Sequence, residues 1–448
     1  MFNFYFWGEI LLLFKTQVNL KRIFLSTLLL IFATPVFAFS VQQSNPAVNG
    51  TWEGVLKAGQ SQLILYFDIT DSAGAIIIPA QRIFRHDMNK IKSSNDSMVF
   101  SFEDELLRAQ FAGRIYQDSI VGVWQQGRSA FPMTIHRVPK TTITHANVDV
   151  FLGYCRQYAL HRHEVDWKVI SDSAYLIAGK GTDIRQLGKA VKYIFDALKD
   201  NHATWVYEHL IQVQGPNEGM ARVSSALMSA VMKEGTTLRV VALDKNTGYI
   251  RMPMINTMDR TQAAAKAAEI KAAIAGLSAA PVQKWVLDMR LCGGGNMEPM
   301  INGIADILED GDMGGYTDNN GQFMKHWGMR QGVFCAEDTA MAIRTSKARN
   351  RIAILTGPVT ASAGEAVTIM LAGRPDTKMF GAPSFGQITC TNVFPMGNQG
   401  MLVISIGYYT DRNKKTYKVN ITPDEIITGR ENFDNPELDP IVIRAKAW

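Results

Sequence analysis

Cysteine is scarce in this chain: four residues in 448, at positions 155, 292, 335 and 390. So few, so widely spaced, exclude a fold held by disulfides, and stability must come from a packed core; one bridge is compatible with the count, and its pairing stays open. Charge of one sign is also lacking. The 46 Lys and Arg against 41 Asp and Glu leave a net charge of +5, or +3 without residues 1–38, too weak and dispersed for a nucleic-acid partner. Histidine is sparse as well, with eight residues; only His209 stands near His202, while His161 and His163 flank Arg162 in a polar stretch, so no metal site is expected. Finally, the apolar stretch Ile23 to Ala33 is too short to span a bilayer.

That stretch has another reading. Lys21-Arg22, the apolar run, Pro35 and then Val36-Phe37-Ala38 have the layout of a secretory signal with a small-x-small cleavage site. Export to the periplasm or the medium is therefore expected, with residues 1–38 removed and translation starting near Val18 or Leu20. The alternative is an uncleaved anchor built from both apolar runs. No cysteine follows the cleavage site, which argues against a lipid anchor.

What is present describes a globular protein of two or three domains, with 47% hydrophobic and 19% charged residues. Residues 46–138 hold short alternating runs such as TWEGVL, SQLILYFDI, MVFSFED and SIVGVWQQG, separated by turn residues, as in a small β barrel or sandwich. This unit is expected to be separable. Residues 141–246 turn helical, and in DIRQLGKAVKYIFDALKD the apolar residues Ile184, Leu187, Val191, Ile194 and Phe195 share one face. That helix delivers the chain to Asp200-Asn201-His202. Residues 247–430 alternate strand and helix, including the Ala-rich helix Thr261 to Leu277 and the strand Lys284 to Met289, and read as an α/β core. Residues 431–448 read as a tail.

Within the core, RIAILTGPVTASAGEAVTIMLAG (Arg351 to Gly373) runs from an apolar strand through Gly357-Pro358 into a helix with apolar residues at offsets of three and four. Ser362 stands at the junction beside the small Ala363 and Gly364. Helix N-terminal amides stabilise negative charge, so a serine there can act as a nucleophile with an oxyanion site; it can equally serve only as a cap. Gly293-Gly294-Gly295 ends the preceding strand in a loop whose N–H groups can turn toward a ligand.

Four segments in order resemble the tail-specific, or C-terminal processing, serine proteases, the peptidase family that includes the tricorn core and the interphotoreceptor retinoid-binding protein type. These are ALKDNHATWV (Ala197 to Val206), KWVLDMRLCGGGN (Lys284 to Asn296), TASAGE (Thr360 to Glu365) and MFGAPSFGQIT (Met379 to Thr389). The interval after His202 is too short for the PDZ domain that family members often carry. The resemblance implies a ClpP/crotonase-like α/β core with a helical N-terminal subdomain, here preceded by the small all-β domain. It also implies protein or peptide substrates and no cofactor, with Ser362 as nucleophile and the Gly294 and Ala363 amides as oxyanion donors.

Two departures bear on mechanism. Gln387 stands where the serine-lysine branch has its base, so the resemblance implies His202 as general base, as in the tricorn-like branch. Asn201 replaces the serine that precedes that histidine. The supporting acid is left open among Glu365, Asp424 and Glu425, and Asn201 is expected to orient the imidazole. Cys292 takes the place of a usual asparagine. The competing class is a catalytically impaired member that binds a ligand or partner.

Overall fold

The structure, a computed structural model, describes residues 48–448 except 71–72, 181, 208–210, 278–281, 342–349 and 398–399; the expected signal lies outside the described residues. Among the described residues, the N-terminal region is one nine-stranded antiparallel sheet: β1 (Gly50–Ala58), β2 (Ser61–Ile69), β3 (Gly74–Ile78), β4 (Ile83–Asp87), β5 (Lys90–Ser93), β6 (Ser97–Glu103), β7 (Arg108–Ile115), β8 (Ser119–Gln126) and β9 (Ser129–Val138). Its order is β4-β3-β2-β1-β9-β8-β7-β6-β5, so the two end strands follow one another in the chain. The sheet is rolled around one apolar interior. Phe67 of β2 meets Phe100 of β6 at 5.0 Å and Trp124 of β8 at 6.2 Å, which fills the space with side chains.

Strands β3, β4 and β5 have no counterpart in the alternating runs of the sequence. For β3 the reason is burial on both faces: Ile76 and Ile78 point into the rolled sheet, while Ala75 and Ile77 pack with Ile143 of the next helix. A strand covered on both sides has no polar face to alternate with.

Three helices follow, α1 (Lys140–Tyr158), α2 (Trp167–Ala178) and α3 (Ile184–Ala197). The stretch expected as helical up to residue 246 then becomes strand, in β10 (Thr204–Tyr207) and β11 (Ile211–Gln214), before α4 (Ser225–Glu234) and β12 (Arg239–Ala242). The rest runs β13 (Thr247–Arg251), α5 (Arg260–Ala275), β14 (Lys284–Asp288), α6 (Met297–Gly303), β15 (Gly311–Thr317), β16 (Phe323–Arg330), β17 (Val333–Glu337), β18 (Arg351–Thr356) and α7 (Ala363–Leu371). It closes with β19 (Thr377–Gly381), β20 (Thr389–Pro395), β21 (Met401–Thr410), β22 (Glu425–Ile426) and α8 (Pro440–Ala447).

These strands make two sheets. In β12-β13-β14-β18-β19-β22 every pair but the first is parallel. In the other, β11-β10-β21-β15-β16-β17, strand β20 also pairs with β21. Helix α7 is packed with residues of both sheets, and all nine of its residues are buried. The offsets read from the sequence as one apolar face therefore belong to a helix covered on every side. The expected tail is also part of the core: Ile441 and Val442 of α8 pack on Val286, Ala353 and Phe380 at the other face of the parallel sheet.

The rolled sheet does not have a core wholly to itself. Phe84 of β4 is buried among Phe151 of α1 at 5.2 Å and Trp205 and Tyr207 of β10, each at 5.7 Å. Asn147 Nδ2 donates to Phe84 O and Tyr207 Oη to Arg85 O. Phe84 thus backs the strand that immediately follows His202. Phe84→Ala is expected to lower unfolding free energy by about 3–5 kcal/mol through the lost burial and the cavity left behind. Urea titration measures it, and a loss below about 1 kcal/mol would show that the sheet is the independent unit expected from the sequence.

Candidate active site

Ser362 precedes α7 with φ 51° and ψ −116°, a backbone conformation that a non-glycine residue keeps only under constraint. The constraint is visible on each side. Thr360 Oγ1 donates to Met289 O at 2.9 Å and accepts from Gly357 N at 3.0 Å, and Ala361 N donates to Cys292 O at 3.1 Å. Ser362 N itself donates to Glu365 Oε2 at 3.0 Å. Opposite lies Gly294 at φ 116°, where a Cβ would come within 2.8 Å of Ser362 Cβ, so only glycine fits there. Ala363 supplies the first amide of α7, which has no intrahelical acceptor.

His202 follows the turn at the end of α3. Its Nε2 lies 3.0 Å from Ser362 Oγ, and its Nδ1 lies 3.1 Å from both Thr389 O and Thr389 Oγ1. A backbone carbonyl can only accept, so Nδ1 carries the proton and the Nε2 lone pair faces the serine hydroxyl. Burial lowers the imidazole's pKa, opposed by the Asp200 carboxylate and the Thr389 carbonyl. The ring is held neutral, in the form that accepts a proton.

Glu365 is buried in α7 with donors aimed at both oxygens. Oε2 takes Ser362 N, and Oε1 takes Ser384 Oγ and Gly386 N, the latter at 2.8 Å. Burial nevertheless pushes its carboxyl up to about 7. Glu365 does not reach the imidazole; it ties the Ser362 backbone to the turn Ser384–Thr389. From the other end that turn holds the histidine: Asn201 Nδ2 donates to Gly386 O at 2.7 Å, and Gln387 Nε2 donates to Asn201 O at 3.3 Å.

Ser362, His202 and Gly294 are therefore brought together, with Ala363 and Glu365 in the same turn of chain. Asn201 is adjacent but spends its amide on Gly386, so it does not orient the ring as expected. Asp424 and Glu425 do not reach the ring either: Asp424 Oδ2 accepts from Met379 N, and Glu425 pairs with Lys378 and Arg444. Asp288 and Arg290 form a fully buried ion pair that Asp439, the cap of α8, extends. Burial pushes the Cys292 thiol up to about 12. A thiol so protonated is no nucleophile. Sequence reasoning passed over Thr389 and Ser405, which join His202 to Asp200; nothing local marks them, since Ser405 lies 205 residues from Asp200 in the chain.

Fold and site together define a class, α/β proteins with a serine–histidine pair at a strand-to-helix turn. Residues 246–427 match the model of peptidase family S41. The matched region contains Ser362 and ends short of His202 on its N-terminal side. The chain is similar to the nisin-resistance protein of Lactococcus lactis, 27% identical over 31% of this chain and 44% of that protein. It is also similar to a carboxy-terminal-processing protease of Bartonella bacilliformis, 25% identical over 41% of this chain and 39% of that protein. Each match thus spans under half the length of the curated relative. A solved lipoprotein from Streptococcus agalactiae is similar at a TM-score of 0.49 and 19% identity, covering 64% of this chain and 92% of that one.

Glu365→Gln retains the shape but turns an amide N–H toward donors on one side. Leaving buried donors unmatched is expected to cost about 1–3 kcal/mol. The raised pKa adds a pH signature: the folded state binds the Glu365 proton more tightly than the unfolded one, so stability should fall as pH rises from the usual carboxylate range toward about 7. Denaturation of parent and variant across that window checks both, because the variant should lose this contribution to the slope.

Proposed function

We propose that this protein is an exported serine endopeptidase with a ClpP/crotonase-like core, acting on peptide bonds through an acyl-enzyme. The observation that carries the reading is the 3.0 Å contact between His202 Nε2 and Ser362 Oγ, with the ring's other nitrogen committed to Thr389. The family match over residues 246–427 supports the reaction class, and the signal-like residues 21–38 support export. The domain plan that goes with it is a signal over 1–38, a β region over 46–138, a helix-rich segment to 246 and the protease core beyond.

Ser362 Oγ attacks the scissile carbonyl while its proton passes to His202 Nε2. The imidazolium then protonates the leaving amine, and water, deprotonated by the same ring, releases the acid. The Ala363 N–H is one oxyanion donor. Gly294, packed against Ser362, supplies the second. Gln387 takes no proton and supports the histidine loop.

A fluorophosphonate probe should label Ser362, and Ser362→Ala should abolish labelling. His202→Ala should slow acylation by several orders of magnitude, as loss of a triad base does, while Gln387→Ala should cost roughly tenfold or less, in line with a lost supporting hydrogen bond. Because the neutral ring is the active form and burial lowers its pKa, the acid limb of the rate should lie below the ordinary imidazole value of about 6.5. A His202→Ala variant acylating at the parent rate would leave the ligand-binding reading in its place. Export has its own test: the mature chain from the cell envelope or medium should begin near Phe39, and recovery of residues 1–38 on the protein would contradict it.

A further inference from the structure

In the serine–histidine reading, the ring needs a partner that fixes its tautomer and answers the charge it gains, and the acids expected from the sequence do not touch it. We propose that Asp200 positions His202 through two buried hydroxyls, those of Thr389 and Ser405, in the role that a triad aspartate plays by direct contact. The proposal rests on the serine–histidine reading and adds its missing third member.

The geometry is continuous. His202 Nδ1 is 3.1 Å from Thr389 Oγ1, Thr389 Oγ1 is 2.7 Å from Ser405 Oγ, and Ser405 Oγ is 2.6 Å from Asp200 Oδ1. All four residues are buried, with exposures of 9%, 6%, 1% and 4% in that order. Asp200 is anchored further: His202 N donates to its Oδ1 at 3.1 Å and Ser405 N to its Oδ2 at 2.9 Å.

Direction follows from the acceptor-only end. A carboxylate cannot donate, so the Ser405 hydroxyl points its hydrogen at Asp200 and accepts from Thr389. Thr389 in turn accepts from the Nδ1–H of His202. Every hydrogen in the series thus points toward Asp200, and the lone pair at the far end is the one facing Ser362. When Ser362 loses its proton to Nε2, no proton enters the series; the Nδ1–H stays in place and the carboxylate stabilises the imidazolium. Register builds the arrangement, since β10 pairs Thr204 with Val403 and β20 pairs Thr391 with Ser405 and Thr389 with Tyr408.

Other titratable groups facing the assembly are few among the described residues. Cys155 of α1 and Tyr408 of β21 interact with Asp200, and burial raises the pKa of each, keeping both neutral. Glu365 of α7 lies on the far side of Ser362, bonded to that residue's N–H.

Three variants of the full chain test the assignment: Thr389→Val, which removes the hydroxyl and leaves the backbone carbonyl in place; Asp200→Asn; and the double substitution. The readouts are fluorophosphonate acylation against pH and the His202 imidazole pKa by NMR. Thr389→Val and Asp200→Asn should each slow acylation roughly 10- to 100-fold, less than the about 10⁴-fold loss for a triad aspartate in direct contact, because the Thr389 carbonyl still holds Nδ1. Asp200→Asn should also move the imidazole pKa and the acid limb to lower pH, and Thr389→Val should move them less. The double variant should be no slower than the slower single one, since both break the same series. Parent-like acylation in Thr389→Val, an unmoved imidazole pKa in Asp200→Asn, or single effects that multiply in the double variant would overturn it. Failure of the underlying reading has a different mark: parent and His202→Ala react equally slowly while Asp200→Asn still lowers the imidazole pKa.

Discussion

The contact between His202 and Ser362 depends on the turn Ser384–Thr389, because that turn is bonded to both residues' surroundings. At one end Glu365 draws in Ser384 and Gly386 while holding the Ser362 amide. At the other, Asn201, Gln387 and Thr389 fasten the histidine loop. The two residues come from segments 160 residues apart, and a hydrogen bond of 3.0 Å leaves little room for error between them. Such a contact tolerates little displacement, so rigidity in the turn matters as much as the two side chains.

That rigidity is bought with buried charge. Glu365 and Asp200 each sit in the interior, where an ionised group is unfavourable unless donors surround it. For Glu365 the contest is close enough to bring its carboxyl to about 7. Arg290, wholly buried, is matched by Asp288 and Asp439, which binds the loop bearing Gly294 to the cap of α8. Helix α8 consequently steadies the Gly294 side of the site from the opposite face of the sheet. Breaking a buried pair by removing one partner costs far more than the pair contributes, so these groups act as locks against rearrangement.

Much of this layout was legible in the sequence. The strand-to-helix junction at Ser362, the glycines at 293–295 and the helix ending near His202 follow from local pattern, and the ordered resemblance joins them. What was not legible arises from contacts between distant segments. Strand β3 hides because both its faces are covered. Asn201 stands where an orienting residue is expected, but its amide has a nearer acceptor in Gly386 O. Asp200 lies inside a quoted motif, yet its relation to the imidazole exists only once β21 brings Ser405 beside it. Phe84 reads as one apolar residue in a β region; only the fold reveals that it fills the core behind Trp205.

Gln387 shows how one turn can serve two chemistries. In the lysine-dependent branch of the family that the sequence resembles, this position supplies the base. Here its amide donates to Asn201 O, and two residues later Thr389 takes the Nδ1 hydrogen of His202. A lysine at 387 would bring an ammonium to the histidine loop, and a like charge there would lower the imidazole's pKa beyond what burial already does. It would make the ring a weaker base, and a second cation would oppose the imidazolium as it forms. A neutral donor preserves the bond to Asn201 without that penalty. Glutamine at 387 and histidine at 202 are therefore mutually consistent choices: once the imidazole is the base, the turn's remaining task is to hold it.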